Sequence, residues 1–344
     1  MPSSPRGNLQ ELARNLGVAP STVSRVLNGK AEQYRISTAT RDRVLEAAKA
    51  SGVVVDHIAR GLRLKTTETI GLIIPDISNP FFASLARRVE HSAREKGYSV
   101  LMADSQERTD VEAESIQLML GRRVDGLVIA PVGESSVHFS SLLQQGPPLV
   151  LVDRVFPDHP AASVVVDNFA GARMAVQHLA EAGHRAIACL QGVPESSVNR
   201  DRVRGYQKGL LDAGLVPRPA WLAGNSHTIE GGEAAAKQVL AQGEAPTAIL
   251  ALGNLIALGA MRAVRELGLR IPQDVSLVAF DEQPWAALLN PAVTTVAQPI
   301  EEIGDRAMSL LFAQMKASES AEPSRVTLPV SLISRDSVSA PPAR

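Results

Sequence analysis

The stretch LQELARNLGVAPSTVSRVLNG, residues 9–29, decides the fold of the N-terminal part of the chain. Its apolar residues recur at helical spacing in two groups, which are Leu9, Leu12, Ala13 and Leu16, and then Val23, Val26 and Leu27. Asn8 and Glu11 match a capping box before the first helix, Gly17 can end it, and Pro20 can begin the second. The pattern therefore predicts two short helices joined by a glycine-containing turn, which is a helix-turn-helix.

A third helix is predicted after this pair. Ser37 can cap it, and Val44, Leu45 and Ala48 fall on one face before Gly52. Three helices can enclose a small apolar core of their own.

The surface of the second helix away from its apolar stripe is polar. It carries Ser21, Thr22, Ser24, Arg25 and Asn28. Such groups form hydrogen bonds to base edges and to phosphates, and the commonest specific contact is that of arginine with guanine. Residues 1–65 hold eleven Lys or Arg and five Asp or Glu, a net charge of +6, while the whole chain has −1. The sequence therefore predicts contact with a polyanion, against the alternative of a solvated basic face.

The composition of the chain is that of a folded globular protein. It has 344 residues, of which 45% are hydrophobic and 21% charged, and this length fits two or three domains. No apolar run reaches the length of a membrane span, and residues 1–10 do not resemble a secretory signal, so we expect a cytoplasmic protein. Cys189 is the single cysteine and has apolar neighbours, which predicts a buried, reduced thiol and excludes a disulfide framework.

From Thr69 onward, β-rich runs alternate with helical patterns. We predict strands at 70–74, 98–103, 126–129, 149–152, 164–166, 186–190, near 221, 248–252 and 275–280, and helices at 168–182, from 197, from 228 and at 254–267. A helix at 299–316 and a strand at 325–333 follow. This alternation predicts an α/β fold with parallel sheets in two Rossmann-like lobes. Ligands bind beyond the carboxyl ends of such strands, so the cleft between the lobes is the expected binding site.

The helix-turn-helix resembles the DNA-binding headpiece of the LacI/GalR (lactose-repressor-like) family of bacterial transcription regulators. Residues 28–37, NGKAEQYRIS, also resemble the longer loop of fructose-type repressors within that family. The resemblance implies that Ser21 and Arg25 read bases. It also implies contacts to the DNA backbone from Asn8, Thr22, Ser24 and Asn28. Ala19 stands where a capping Ser or Thr is usual and Ser21 is small, so base readout should depend mainly on Arg25.

Residues 53–66, VVVDHIARGLRLKT, resemble the family's hinge segment in Ala59, Arg60 and Leu62. The resemblance implies that the segment becomes helical on operator DNA and that Leu62 wedges into a minor-groove step and kinks it. Gly61 weakens such a helix by about 1 kcal/mol relative to alanine, which suits a segment that orders only on binding. The alternative is a plain linker in which Leu62 only packs on the body.

The body resembles the same family and, through it, the periplasmic sugar-binding proteins. The motifs IGLIIPDISNPFF, VDGLVIAP, DNFAGARMAVQHLAEAGH, RVRGYQKGLLDAGL and IPQDVSLVAFDEQPWA occur in the family order. They imply eight cleft residues, which are Asn79, Phe81, Phe82, Asp153, Arg202, Asn254, Asp281 and Gln298. Arg202 offers a planar fork of donors, while Asp153 and Asp281 can accept hydrogen bonds from hydroxyl groups. We therefore expect a small polar effector such as a sugar, a sugar acid or a sugar phosphate.

Some of these positions have a simpler interpretation. Asp281 could cap the turn that leaves its strand, and either Phe81 or Phe82 could be a core residue. Arg202 could belong to a solvated helix face together with Arg200, Asp201 and Arg204.

Two departures from the family pattern bear on the effector. Gly253-Asn254 stands where Asn-Asp is common, and Ser226 stands where an aromatic ring often closes the sugar face. Both argue against an ordinary hexose.

Motifs of enzymes are absent from the sequence. No G-x-G-x-x-G follows a predicted strand, no P-loop, G-x-S-x-G elbow or H-E-x-x-H occurs, and the seven His residues lack metal-ligand spacing. We expect no enzyme activity, no cofactor and no metal. A free-standing solute-binding protein is the alternative, but it needs an export signal and leaves the helix-turn-helix unexplained. The sequence thus predicts a ligand-responsive DNA-binding transcription regulator, and specifically a repressor.

The predicted organisation comprises a headpiece at 1–56, a hinge at 57–67, a body at 68–336 and a flexible tail at 337–344. Within the body, the N-lobe takes about 68–166 and 299–323, and the C-lobe takes about 167–298 and 324–336. The terminal SRDSVSAPPAR has no leucine heptads of the kind that tetramerise some relatives. We therefore predict a homodimer on a pseudo-palindromic operator, because operator symmetry mirrors protein symmetry.

Overall fold

The computed structural model describes residues 9–27, 29–51, 66–139, 142, 146–156, 161–317 and 324–342. The chain divides into two units, Met1–Thr67 and Glu68–Arg344, which contain the headpiece and the body respectively. Within the described ranges, no helix is long and apolar enough to cross a membrane.

The headpiece contains three helices around a small apolar core. They are α1 (Leu9–Leu16), α2 (Pro20–Leu27) and α3 (Thr38–Ser51). Gly17 follows α1 with a φ of +65°, which glycine adopts without strain, and Ser37 Oγ accepts a hydrogen bond from Thr40 N (3.2 Å) at the start of α3. The core consists of Leu12, Ala13, Val23, Val26, Ala31, Val44 and Ala48. The helix-turn-helix and the third helix are therefore confirmed, but Leu45 is 44% exposed because α3 buries only its narrow i, i+4 stripe.

The body consists of two lobes of sheet and helix. The N-lobe contains β1 (Thr69–Ile74), α4 (Pro80–Glu95), β2 (Ser99–Asp104), α5 (Thr109–Arg122), β3 (Gly126–Ile129), β4 (Leu149–Val152), β5 (Ala162–Val166), α10 (Ile300–Lys316) and β11 (Arg325–Leu328). The C-lobe contains α6 (Asn168–Glu181), β6 (Ile187–Leu190), α7 (Ser197–Asp212), β7 (Leu222–Ala223), α8 (Ile229–Leu240), β8 (Ala248–Ala251), α9 (Asn254–Glu266), β9 (Ser276–Phe280), β10 (Thr294–Ala297) and β12 (Ser331–Ile333). The predicted pair of Rossmann-like lobes is confirmed.

The two sheets have the same strand order. It is β11-β5-β4-β3-β1-β2 in the N-lobe and β12-β10-β9-β8-β6-β7 in the C-lobe, and every neighbouring pair is parallel except β10 with β12. All residues of β3, β5, β6, β8 and β9 are buried, as expected for parallel strands covered on both faces. Cys189 in β6 is buried as predicted, and burial raises the pKa of its thiol. Side chains that follow the central strands at their carboxyl ends are therefore the ones that can reach the cleft.

The single strand predicted at 325–333 is wrong, because the structure has two strands there. β11 pairs with β5 of the N-lobe, while β12 pairs with β10 of the C-lobe. Pro329 lies between them, and a proline has no N–H to continue a hydrogen-bond ladder. The prediction that all of 324–336 belongs to the C-lobe is therefore wrong for β11. The sequence analysis also did not predict β10, the C-lobe strand with which β12 pairs.

The flexible tail predicted at 337–344 is wrong for its described part. Ser337 is fully buried, where its Oγ accepts a hydrogen bond from Thr294 N (2.8 Å) and donates one to Leu277 O (2.5 Å). The carbonyl of Ser339 accepts a hydrogen bond from His184 Nε2 (2.9 Å). The polar residues that made this segment look like a solvated tail instead satisfy polar groups at the edge of the C-lobe. Residues 343 and 344 lie outside the described part of the chain.

Candidate functional site

The eight predicted cleft residues line one cavity between the lobes of the body. They are Asn79, Phe81, Phe82, Asp153, Arg202, Asn254, Asp281 and Gln298. They lie on α4 and α7 and just beyond the carboxyl ends of β1, β4, β8, β9 and β10. The cavity has a volume of about 30 Å³, because several of these side chains bond to one another across it.

Two aspartates occupy equivalent positions in the two lobes. Asp153 follows β4 with a φ of +62° and Asp281 follows β9 with a φ of +75°, a left-handed conformation in which Asp is enriched. Burial raises the pKa of Asp153 to about 6, and the positive charges of Arg154 and Arg202 offset this only in part. The cleft therefore contains a carboxyl group that can exchange a proton near neutral pH.

Asp281 and Asn79 organise the polar contacts of the cavity. Asp281 accepts hydrogen bonds from Gln298 Nε2 (2.5 Å) and from the backbone N of Asn254 (3.3 Å). It thus caps the start of α9, and not the turn that leaves its own strand. Asn79 Oδ1 accepts from Phe81 N (3.0 Å) within the N-lobe and from Asn254 Nδ2 (2.9 Å) of the C-lobe. One asparagine oxygen therefore both caps α4 and links the two lobes.

Arg202 is a buried cleft residue and not part of a solvated helix face. Its side chain is 4% exposed, whereas that of Arg204, two residues along α7, is 70% exposed. The Nε of Arg202 donates to Asn168 Oδ1 (2.7 Å), and its Nη1 donates to Leu252 O (2.8 Å). The guanidinium also lies 3.8 Å from the ring centroid of Phe280. These contacts fix a rigid fork of donors at the floor of the cleft.

Phe81 and Phe82 both belong to the core of the N-lobe, where the sequence suggested one of them. Each is 3% exposed, and their rings meet edge to face with centroids 5.1 Å apart. Both also line the cavity. They therefore form an apolar wall that is supported from behind by the core.

Arg154 lines the cavity, and sequence reasoning missed it. Its Nη1 and Nη2 donate to the two carboxylate oxygens of Glu107 at 2.7 and 2.6 Å. Burial alone would raise the pKa of Glu107, but the hydrogen bonds and charge of Arg154 hold it below its ordinary value. The available signal was adjacency, because Arg154 directly follows Asp153.

His227 is a second residue that sequence reasoning missed. Its Nε2 accepts a hydrogen bond from Val193 N (3.4 Å), and burial together with the charge of Arg154 lowers its pKa to about 3. The ring is therefore neutral at physiological pH. It lies so close to Gly192 that a Cβ there would be 1.9 Å from the ring. His227 thus places an aromatic ring in the lining of the cavity one residue after Ser226.

Arg154 also lines a second, larger cavity between the lobes, with a volume of about 340 Å³. Ser197 Oγ of the C-lobe accepts a hydrogen bond from Val155 N of the N-lobe (3.2 Å) at its wall. Two buried atoms here, Ser196 Oγ and Arg154 Nε, have no hydrogen-bond partner among the described residues. The larger cavity therefore adjoins unsatisfied polar groups. In the smaller cavity, by contrast, donors and acceptors such as Asn79, Asn254 and Asp281 are already paired with one another.

The predicted DNA-reading residues of the described headpiece lie on α2. They are Ser21, Thr22, Ser24 and Arg25. Ser21 and Arg25 are exposed, while Val23 and Val26 of the same helix are buried in the core. The guanidinium carbon of Arg25 lies 4.0 Å from the ring centroid of Tyr34, a contact that the sequence did not reveal. The remaining predicted residues, Asn8, Asn28 and Leu62, lie outside the described residues.

Comparison with known proteins identifies the family. The model of the bacterial regulatory proteins of the lacI family matches residues 8–53, and that of the periplasmic binding protein-like domain matches residues 176–338. Catabolite control protein A of Priestia megaterium is 34% identical over 322 residues, which cover 93% of this chain and 96% of that protein. The chain belongs to the lacI family.

Solved structures of lacI-family regulators show the same architecture. The lac repressor dimer bound to operator and the anti-inducer ONPF matches with a TM-score of 0.84 at 27% identity, over 97% of this chain and 99% of that one. The complex of the transcriptional regulator CelR with cellobiose matches with a TM-score of 0.73 at 30% identity, over 96% of this chain and 100% of that one. Helix-turn-helix helices followed by two parallel-sheet lobes are thus the common lacI-family fold.

Membership establishes the broad function of the molecule. A lacI-family protein is a DNA-binding transcriptional repressor with an effector-binding domain, and this chain is one. Because lacI-family regulators are not enzymes, the prediction that the chain is not an enzyme is confirmed.

Proposed function

We propose that a small polar metabolite binds between the two lobes of the body and controls the affinity of the headpiece for operator DNA. The observation that carries this proposal is the convergence of eight residues, far apart in the sequence, on one buried polar cavity. Arg202 supplies fixed donors, and Asp153 and Asp281 supply carboxylates that can accept from hydroxyl groups. This chemistry favours a carbohydrate-like effector, which is a sugar, a sugar acid or a sugar phosphate.

The wider set of cleft residues sharpens the expected shape of the effector. Phe81 and Phe82 provide an apolar wall, and the neutral ring of His227 provides a flat polar one. Flat apolar faces beside fixed polar groups are typical of pockets for small ring-shaped ligands. The cellobiose in the CelR complex is consistent with a ligand of this class.

On the DNA side, we propose that two chains bind one pseudo-palindromic operator in the cytoplasm. Ser21 and Arg25 read base edges, and Leu62 wedges into the minor groove. The DNA backbone is contacted by Asn8, Thr22, Ser24 and Asn28. The lac repressor supports this arrangement, since that protein binds its operator as a dimer.

The effector proposal is tested by a thermal-shift screen of sugars, sugar acids and sugar phosphates on the full-length protein. A compound that binds only the folded state raises the melting temperature, and the same compound should change operator affinity. Arg204→Ala should keep both responses because its side chain is exposed, whereas Asp281→Asn should lose them. A panel in which no compound changes both the melting temperature and operator affinity contradicts the proposal.

The DNA proposal is tested by selection of operators from a randomised duplex pool. An inverted repeat with half-sites about one helical turn apart is expected from a two-fold dimer. Leu62→Ala should lower operator affinity and DNA bending together, while the slope of log K against log salt stays the same because no charge is removed. Wild-type bending and affinity in this variant would show that the hinge is only a tether, and a stable tetramer or a monomer in analytical ultracentrifugation would contradict the dimer.

A further inference from the structure

Arg25 of α2, the helix proposed to read bases, lies over the aromatic ring of Tyr34 in the loop that follows this helix. The guanidinium carbon of Arg25 lies 4.0 Å from the ring centroid of Tyr34, well within the range of about 6 Å over which a cation is attracted to the face of an aromatic ring. We propose that Tyr34 is a positioning residue for base recognition, which holds Arg25 in the orientation that a guanine edge requires. This inference rests on the proposed reading of bases by Arg25.

The loop that carries Tyr34 is fixed to the headpiece by its backbone. Lys30 N donates to Arg25 O (2.9 Å), and Tyr34 N donates to Lys30 O (3.2 Å). Ala31 is 5% exposed and belongs to the headpiece core, and its carbonyl accepts a hydrogen bond from Ile36 N (2.8 Å). The backbone of Tyr34 is thus held by a turn that begins at the end of α2. This turn keeps the ring within reach of the Arg25 guanidinium.

Stacking on Tyr34 and hydrogen bonding to a base use different parts of the same guanidinium. In a stacked arrangement the ring contacts the planar face of the guanidinium, whereas the N–H donors point outward in the plane. Those donors therefore stay available for the pair of bonds to guanine O6 and N7. A side chain that is already oriented also loses less rotamer freedom when it binds. Tyr34 should consequently strengthen the choice of guanine at one position of each half-site.

The opposite role for Tyr34 is physically distinct. The ring could withdraw Arg25 from the DNA, in which case its removal would strengthen binding to the operator. Its hydroxyl could instead contact a phosphate, in which case Tyr34→Phe would weaken binding to every sequence equally. Variants at Tyr34 separate these roles by sign and by chemistry.

The test uses the full-length protein and an operator selected by the wild-type chain from a randomised duplex pool. Arg25→Ala identifies the base pair that Arg25 reads, since the preference at that pair disappears. Tyr34→Ala and Tyr34→Leu should lower the preference for guanine at that pair about two- to fivefold for each bound headpiece, with an unchanged salt slope. Tyr34→Phe, which keeps the ring, and Glu32→Ala, a control in the same loop, should keep the wild-type preference.

Several results would overturn the proposal. One is a preference for guanine that is unchanged or stronger in both Tyr34→Ala and Tyr34→Leu. Another is a loss of this preference in Tyr34→Phe that equals the loss in Tyr34→Ala. Tyr34→Leu keeps a large apolar side chain without the aromatic ring, so a loss of preference in a variant with wild-type circular dichroism is not a folding effect. In an Arg25→Ala background, Tyr34→Ala should change nothing further. If Arg25→Ala keeps the preference, the proposed base readout by Arg25 is wrong, and the role of Tyr34 falls with it.

Discussion

The two lobes of the body can be compared at the residue that follows each of the equivalent aspartates. In the N-lobe this residue is Arg154, which pairs with Glu107. In the C-lobe it is Glu282, whose Oε1 accepts a hydrogen bond from Arg335 Nη2 (2.6 Å). In both lobes the residue after the aspartate thus belongs to an arginine–glutamate pair, with the charges exchanged. The partner follows β2 in the N-lobe and β12 in the C-lobe, which lie at opposite ends of the common strand order.

The surroundings of the two pairs give them different roles. The Arg154 pair lines the larger cavity between the lobes. Arg335 instead donates from Nη1 to the carbonyl of Val293 (2.7 Å), and so holds the terminal segment on the edge of the C-lobe. Equivalent positions in a duplicated architecture therefore do not imply equivalent functions. A pair of opposite charges indicates a binding site only where a cavity adjoins it.

The largest expected effect on stability comes from the removal of Arg202, whose positive charge interacts with both Asp153 and Asp281. Arg202 lies 4.0 Å from the Asp281 carboxylate and its charge also acts on Asp153. Arg202→Ala should cost about 3 to 5 kcal/mol of unfolding free energy, because it leaves buried carboxylates without this partner. Arg204→Ala, on the same helix but exposed, should cost less than about 0.5 kcal/mol. Equal urea midpoints for the two variants would contradict the role of Arg202 as the shared partner of the two aspartates.

The next effect is a dependence on pH that originates in the N-lobe. The folded pKa of Asp153 is about 6, against an ordinary value of 3.8, so its contribution to stability falls as the pH rises through this window. Asn does not titrate. The stability of Asp153→Asn relative to the wild type should therefore rise by about 2 to 3 kcal/mol between pH 4 and pH 7. Urea unfolding across this range measures the change in relative stability. Asp336→Asn, at an exposed position, is the control for loss of one carboxylate. A stability difference between Asp153→Asn and the wild type that stays constant with pH would contradict the prediction.

The smallest effect compares the two charge pairs directly. Glu107→Gln should destabilise the body by about 2 kcal/mol, because Arg154 is deeply buried and loses its ionic partner. Glu282→Gln should cost about 1 kcal/mol, since Arg335 keeps its bond to the carbonyl of Val293. Chemical denaturation of both variants at pH 7 gives the two values. A larger loss for Glu282→Gln would reverse the assignment of roles drawn from the surroundings.

Most of the fold could be predicted because its signals are local. Apolar spacing revealed the headpiece helices, and the alternation of apolar strands with helices revealed both lobes. The errors occurred where distant pairing decides the structure. β10 is a short strand whose sequence, TTVA, carries little apolar signal, and the split at Pro329 depends on which sheet each half joins.

The candidate site was predicted only as far as the family motifs reach. Arg202 stands among other charged residues on α7, and its burial depends on Asn168 and Leu252, which are distant in sequence. Arg154 and His227 were missed for the same reason. Their places in the cleft depend on partners that no local pattern reveals.

The pairing of β11 with β5 has a consequence for the synthesis of the protein. Val164 pairs with Val326, so the N-lobe sheet is completed by residues that the ribosome adds after all of the C-lobe except β12 and the segment that follows it. Contacts between residues so distant in sequence form slowly, because loop entropy must be lost before they are made. Until then β5 is an unpaired edge that can add a strand from another nascent chain. A pause in translation between residues 166 and 325 should therefore promote aggregation, and the two lobes should reach their native state together and not one after the other.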